Sequence, residues 1–326
     1  MTAFKTIKGV PVKTISGNRP GVSPHSFEGQ LYYDSDGVGT FKFLGAAIGA
    51  WSSGGVLNTG RNNLGASGTS QNAGLAFGGN GAKAVTESYN GTSWTELNDL
   101  NTGRAEASKG VGGTQTAAIY AGGDPGADTA ETWDGTSWSE VAEINTARKS
   151  SMIAATSNTS GLIAGGEPAA SPVGNETEVW NGTAWTEVNN LNTSRNNGGG
   201  VGSVTDGLVC GGQIGPTNGP STVTETWNGT SWTEVNDANA GTRGQGTAGA
   251  GSTAALIFGT TPTSAKTEIW DGTSWTEVAD LATARAQIGG WGSTTGAGAA
   301  GGTPVSPTGS TEEFTFANAV KTIDLS

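Results

Sequence analysis

One eight-residue phrase recurs down the chain, with an acid first, an aromatic third, an Asn-Gly or Asp-Gly pair, and a closing tryptophan. It reads GluSerTyrAsnGlyThrSerTrp at Glu87–Trp94, GluThrTrpAspGlyThrSerTrp at Glu131–Trp138 and GluValTrpAsnGlyThrAlaTrp at Glu178–Trp185. It returns as GluThrTrpAsnGlyThrSerTrp at Glu225–Trp232 and GluIleTrpAspGlyThrSerTrp at Glu268–Trp275. Self-similarity at a period of roughly 40–50 residues marks a fold built from stacked units, none of which buries its apolar face alone. The same repetition bears on function: whatever recurs in every copy reads as architecture, and function is to be sought where copies differ.

Each unit runs in the same order. An arginine opens it: Arg61, Arg104, Arg148, Arg195, Arg243 and Arg285, at spacings of 43, 44, 47, 48 and 42 residues. A small, glycine-rich stretch follows, then an apolar run ending in a glycine pair. The pairs are Gly78-Gly79, Gly122-Gly123, Gly165-Gly166, Gly211-Gly212 and Gly301-Gly302, with Gly259-Thr260 the one departure. A variable loop leads to the aromatic phrase, whose Asn-Gly or Asp-Gly pair signals a hairpin because both residues tolerate positive φ. Four short strands per unit, repeated radially, predict an all-β chain: a six-bladed β-propeller of four-stranded antiparallel blades.

The ends fit this reading. The sixth unit reaches Phe314 in the aromatic position and then lacks its tryptophan, while Trp51 precedes Arg61 as Trp94 precedes Arg104. Residues around Ile48–Val56 are therefore expected to supply the outer strand of the last blade, removing an open sheet edge. The predicted organisation is an arm at 1–40, a propeller at 41–316 and a tail at 317–326.

Composition narrows the function classes. Glycine accounts for 56 of 326 residues, but 11 tryptophans at fixed intervals argue for a packed core over disorder. A net charge of −12 disfavours a sequence-independent grip on nucleic-acid phosphates. A single cysteine, Cys210, excludes an intrachain disulfide, and its apolar setting reads as a buried thiol. One histidine, His25, rules out multi-histidine metal sites and a Ser-His-Asp triad within the repeats. No apolar stretch has the length of a secretory signal or membrane span, so neither is expected.

The combination of glycine pair, aromatic, tryptophan and arginine resembles the kelch motif over about residues 50–316, with a shorter aromatic-to-tryptophan spacing than typical kelch repeats. A second resemblance lies in GluGlyGlnLeuTyrTyrAspSer at Glu28–Ser35 and GlyThrPheLysPhe at Gly39–Phe43. This is similar to a short segment in tail fibres and other virion proteins of tailed bacteriophages, and its pairing with degenerate kelch-like repeats resembles marine-phage virion proteins. The resemblance implies a virion-located structural or decoration protein in many copies, whose partners are other capsid or tail proteins, and which inserts into no membrane.

Candidate residues follow from where the pattern breaks. The six arginines and recurring tryptophans read as structural, tying loops and packing blades. Trp291, outside the pattern, is expected to fill the central channel. An acidic series five residues past each tryptophan (Asp99, Glu143, Asp237 and Asp280, with Asn190 in the fourth unit) reads as loop residues rather than a Ca²⁺ site. The loops after the glycine pairs vary most, at Asp124–Asp128, Glu167–Asn175 and Gln213–Ser221. Their polar residues Asp124, Asp128, Glu167, Asn175, Gln213 and Asn218 are the expected binding face, on a rigid scaffold. Lys5, Lys8, Lys13 and Arg19, in a segment with no acid before residue 23, are the expected attachment residues. No catalytic residue, metal or cofactor is expected. A carbohydrate-binding adhesin using the same face is the alternative, and a glycan-active enzyme is a more distant one.

Overall fold

The computed structural model describes residues 49–316 apart from 126, 172, 216–218 and 304–308, together with the backbone of six short strands within 6–44 and 320–323. Among the described residues there is no α-helix. The architecture is a β-propeller arrangement of antiparallel four-stranded blades. The chain divides into two compact units, Met1–Ala50 with Phe316–Ser326, and Trp51–Thr315. In the first, a sheet runs in the order Lys13–Ile15, Leu31–Asp34, Thr40–Leu44, Val320–Ile323. Its first pair is parallel and the others antiparallel. Residues 40–44 thus pair with 320–323, and the unit boundary falls at 50/51 rather than 40/41.

Three repeats each form a separate four-stranded sheet. Two run in chain order, Gly199–Gly202 to Trp232–Val235 and Gly246–Gly251 to Trp275–Glu277. The third is ordered Gly289–Ser293, Gly296–Ala300, Thr311–Thr315, Ala50–Ser53. Six separate four-stranded blades are not what the hydrogen bonds define. The first strand of the second repeat, Lys109–Gly112, pairs in parallel with Met152–Ser157 and Gly65–Ser70, joining the first and third repeats into one ten-stranded sheet. Its own repeat keeps three strands. The cause is packing. Val111 sits in one core cluster with Val201, Leu208, Ala255 and Ile257 from more distant repeats. Gly110 lets the strand come that close, since a Cβ there would lie 2.1 Å from the Ile153 carbonyl oxygen.

The recurring arginine is the hub of each repeat. Arg61, Arg104, Arg148, Arg195 and Arg285 are wholly buried and pair with Glu87, Glu131, Glu178, Glu225 and Glu312. The same carboxylate accepts the backbone N–H of the preceding connection: Asn101 at 2.8 Å and Thr102 at 3.3 Å onto Glu131. Asn101 Nδ2 completes the cluster at 2.9 Å and also donates to the Trp138 carbonyl. Burial lowers the pKa of Arg104, Arg148, Arg195 and Arg285, and the facing carboxylate opposes that shift. The arginine's carbonyl accepts the N–H that closes the previous repeat's glycine pair, as from Gly79 to Arg104 and Gly302 to Arg61. Both requirements fall on the glycine pair. Gly78 and Gly79 have φ of 66° and 129°, and a Cβ on Gly78 would lie 2.8 Å from the Arg104 oxygen.

Arg243 departs from this pattern. One extra residue separates it from Asn239, so Thr242 takes the arginine's backbone place: Thr242 N donates to the Ser221 carbonyl, and the Thr242 carbonyl accepts from Gly212. Arg243 is only half-buried, and its guanidinium reaches Gln213 Oε1 at 3.0 Å.

The hairpin of the recurring phrase spans four residues, with Tyr89 paired to Trp94 across Asn90–Ser93. Only the glycine takes positive φ; the Asn90 side chain instead accepts the N–H groups of Thr92 and Ser93, both at 2.9 Å. This holds the two aromatics together, with ring centroids 4.9–5.5 Å apart from Tyr89–Trp94 to Trp270–Trp275. Phe314 and Trp51 form the matching pair at 5.2 Å. Trp291 does not fill the channel. It is buried among Leu64, Ala66, Tyr89 and Trp94, in space left by Gly68, Gly74 and Gly298.

Five of the six closing tryptophans also reach back to the preceding repeat. Trp138 Nε1 donates to Thr86 Oγ1 at 2.9 Å, Trp232 to Thr177, Trp275 to Thr224 and Trp51 to Thr267 at 3.1 Å, and Trp94 to Thr311 at 2.9 Å. At the corresponding place for Trp185 stands Ala130, and Trp185 Nε1 is buried without a partner. An unmade buried hydrogen bond costs about 1–3 kcal/mol. Ala130→Thr is therefore expected to stabilise the protein by about 1 kcal/mol, and Thr177→Ala to destabilise it by a similar amount, read as shifts of the urea midpoint at unchanged slope.

Candidate functional site: the variable loop face

The loops after the glycine pairs share one face with the connections that carry the arginines. Between the second and third repeats they enclose a cleft of about 450 Å³ lined by Asp124, Lys149, Glu167 and Ser171, with Ala127, Ala147 and Pro168 as its apolar parts. Asp124 is exposed at the lip, where its backbone bridges to Ala105. Lys149 Nζ lies 3.4 Å from Glu106 Oε2 and 3.9 Å from Glu167 Oε1. Burial opposes the charge on Lys149, but Glu106, Glu167 and Asp124 together hold its pKa above the ordinary lysine value. The result is a partly exposed group of three carboxylates and one ammonium, with polar atoms facing solvent on a rigid rim. Such a set can hydrogen-bond hydroxyls or a cationic group.

The structure brings Asp124 and Glu167 together and leaves the other expected loop residues elsewhere. Asp128 is half-buried, and its carbonyl accepts the Ile144 N–H. Asn175 Nδ2 donates to the Leu191 carbonyl at 3.2 Å, so it fastens a connection. Gln213 bridges to Arg243 of the next repeat. Asn218, Lys5, Lys8 and Arg19 lie outside the described residues, as does His25; Lys13 lies in a described strand. Four of the acidic series fasten the scaffold: Asp99, Asn190 and Asp280 accept the N–H groups of Thr86, Thr177 and Thr267, and Asp237 accepts the Thr222 hydroxyl, while Glu143 is exposed. The Cys210 thiol is buried, which pushes its pKa up to about 12, away from nucleophilic use.

Next to the cleft lies the mouth of the propeller axis. The residue two past each arginine, or past Thr242 in the fifth repeat, has positive φ: Asn63, Glu106, Ser150, Asn197, Gly244 and Gln287, all between 51° and 61°. A left-handed residue with a side chain costs about 1–2 kcal/mol. A chain of backbone hydrogen bonds offsets this, running from Asn63 to Gln287, Gln287 to Gly244, Gly244 to Asn197, Asn197 to Ser150 and Ser150 to Glu106. Beneath it Lys109 is buried, with Nζ donating to Asn63 Oδ1 at 2.8 Å. Burial lowers its pKa to about 8, against the pull of Glu106. Sequence reading missed Lys149 and Lys109. The available clue was for Lys109, which stands where every other repeat carries an uncharged residue.

No model of a known protein family matches the chain, and no curated protein matches it. Among the described residues, no helix is long and apolar enough to cross a membrane, and no group of three or more His, Cys, Asp or Glu side chains is placed to hold a metal ion.

The depressed pKa of Lys109 makes a signed prediction. Between about pH 8 and the unfolded value near 10.5, the unfolded chain binds the extra proton, so this group's contribution to stability rises with pH through that window. Below pH 8 the folded state bears the full penalty, about 3 kcal/mol for a shift of this size. Lys109→Met is expected to raise the melting temperature most at pH 7 and to lose its advantage toward pH 10.5. Melting curves of both proteins across that range check this, because effects of other groups cancel in the difference.

Proposed function

We propose that the chain is a six-bladed, kelch-like propeller, closed by Ala50–Ser53 in the last blade, that serves as a non-enzymatic structural or decoration protein of a tailed-phage virion. The ring reading is supported by six arginine-to-phrase units, by the strand order of the last repeat, and by the Trp94–Thr311 bond between its two ends. The function rests on one observation: five of the six repeated arginines, with the glutamates and tryptophans that could carry chemistry, are engaged inside the scaffold, while the loops that vary form an accessible cleft. A rigid body with a variable rim is suited to display and to binding through many weak contacts, strengthened by multiple copies on one particle. Residues 1–40, with Lys5, Lys8, Lys13 and Arg19, are the proposed attachment segment, and other virion proteins the proposed partners.

The cleft favours one second reading, a carbohydrate-binding adhesin. Asp124, Glu167 and Lys149 offer polar groups on a fixed rim of the kind that recognises sugar hydroxyls.

Imaging of purified particles by electron cryomicroscopy is expected to place the propeller in many copies on the capsid or tail, and particles without it would reject the virion assignment. A glycan array separates the two readings: a decoration protein gives no binding, whereas binding lost on Asp124→Ala or Glu167→Ala identifies an adhesin.

A further inference from the structure

The fifth repeat keeps the carboxylate of the arginine cluster and loses the arginine. Glu268 is only 2% exposed. It accepts Asn239 N and Nδ2, both at 2.8 Å, and Ala240 N at 3.0 Å, the same backbone and amide donors as in the sister repeats. In those repeats a guanidinium supplies the remaining partner and the positive charge, the amide being absent only in the sixth, where Ala282 replaces the asparagine. No ion-pair partner lies within 4.0 Å of Glu268 among the described residues.

The sister repeats show what this place accommodates. The guanidinium of Arg195 is held by Glu225 at 2.6 Å and by the carbonyls of Val223 at 2.6 Å and Gly211 at 3.3 Å. That of Arg285 is held by Glu312 at 3.0 Å and by the carbonyls of Ser310 at 2.7 Å and Gly301 at 3.2 Å. Each is one carboxylate with two neutral carbonyl oxygens, a set of hard acceptors for a single positive charge. The corresponding backbone positions around Glu268 are Lys266 and Gly259, by their offsets from the glutamate and from the glycine pair.

A second observation concerns the same joint. Thr242 stands on the arginine's backbone place, and its Oγ1 is buried without a partner; so is Gln245 Oε1, on a residue 2% exposed. Both lie at the Gly211 end of the joint, where a Cβ on Gly211 would meet Thr242 Oγ1 at 2.2 Å and Gln245 Nε2 at 2.9 Å.

We propose that this joint binds one potassium-sized monovalent cation, with Glu268 supplying the charge and the carbonyls of Lys266 and Gly259 completing the shell. One carboxylate among neutral oxygens matches a single positive charge, and oxygen ligands suit a hard cation. Bound only by the folded state, the ion acts as a structural pin for the one repeat that lacks its arginine.

The test compares melting in potassium chloride and in N-methyl-D-glucamine chloride at equal ionic strength. The wild-type protein is expected to melt higher in potassium, by about 2–4 °C at a concentration about tenfold above the dissociation constant. The double variant Thr242→Arg/Thr260→Gly, which restores the sister sequence, is expected to lose that difference. An undiminished potassium response in a folded double variant would overturn the proposal. Crystals of the wild-type protein soaked in thallous acetate need no variant: an anomalous peak within bonding distance of Glu268 is expected, and none there would overturn it. Neither arm depends on where the protein acts.

Discussion

Everything in this propeller hangs on a buried arginine facing a buried glutamate. The pair spans the connection that enters a blade and the blade's third strand, and the arginine's carbonyl receives the last N–H of the previous blade's glycine pair. One residue therefore sets where a connection ends, where a strand begins and how two neighbours meet. Buried ion pairs are weak evidence for stability as such, because desolvation offsets most of their attraction. Their effect here is registration. Removing either partner leaves a charge in the interior, so the chain has no inexpensive way to start a blade one residue early or late.

The fifth repeat shows how tightly this constraint binds the sequence. Its two departures, Gly259-Thr260 in place of a glycine pair and the displacement of Arg243, are halves of one change. In the sister repeats the second glycine lies against the arginine stem: a Cβ on Gly79 would be 3.1 Å from Arg61 Cδ, and one on Gly166 would be 3.2 Å from Arg148 Cδ. Where the arginine side chain is withdrawn, a threonine fits, and Thr260 Oγ1 exchanges hydrogen bonds with the backbone N–H and carbonyl of Arg243. The first glycine stays, because its φ of 66° and its approach to the Arg285 carbonyl do not depend on that stem.

The repeat, its strand count and the structural role of the arginines were legible in the sequence, because each follows from spacing and from residue chemistry that every copy repeats. Other features were not. That Lys109–Gly112 would pair in parallel with its neighbours in other repeats depends on Val111 packing against repeats far along the chain, which local pattern cannot show. Trp291 stood out from the pattern, yet its surroundings are set by three glycines from two repeats. Of the loop residues singled out for variability, Asn175 and Gln213 fasten the scaffold. Asp124 and Glu167 meet in a cleft only because adjacent repeats turn their loops to the same rim. Variability in sequence marks a surface, and only the spatial neighbours distinguish a binding rim from a fastening.

The account stands or falls on the arginine–glutamate pair acting as one unit. A double-mutant cycle on Arg104→Met and Glu131→Leu, read by chemical denaturation, tests it most directly. Each single substitution is predicted to cost about 3–5 kcal/mol by stranding a buried charge. The double variant is predicted to lose far less than their sum, with a coupling of about 2–3 kcal/mol. Single losses that add to within about 0.5 kcal/mol would contradict it, since the pair would then not hold the blades in register.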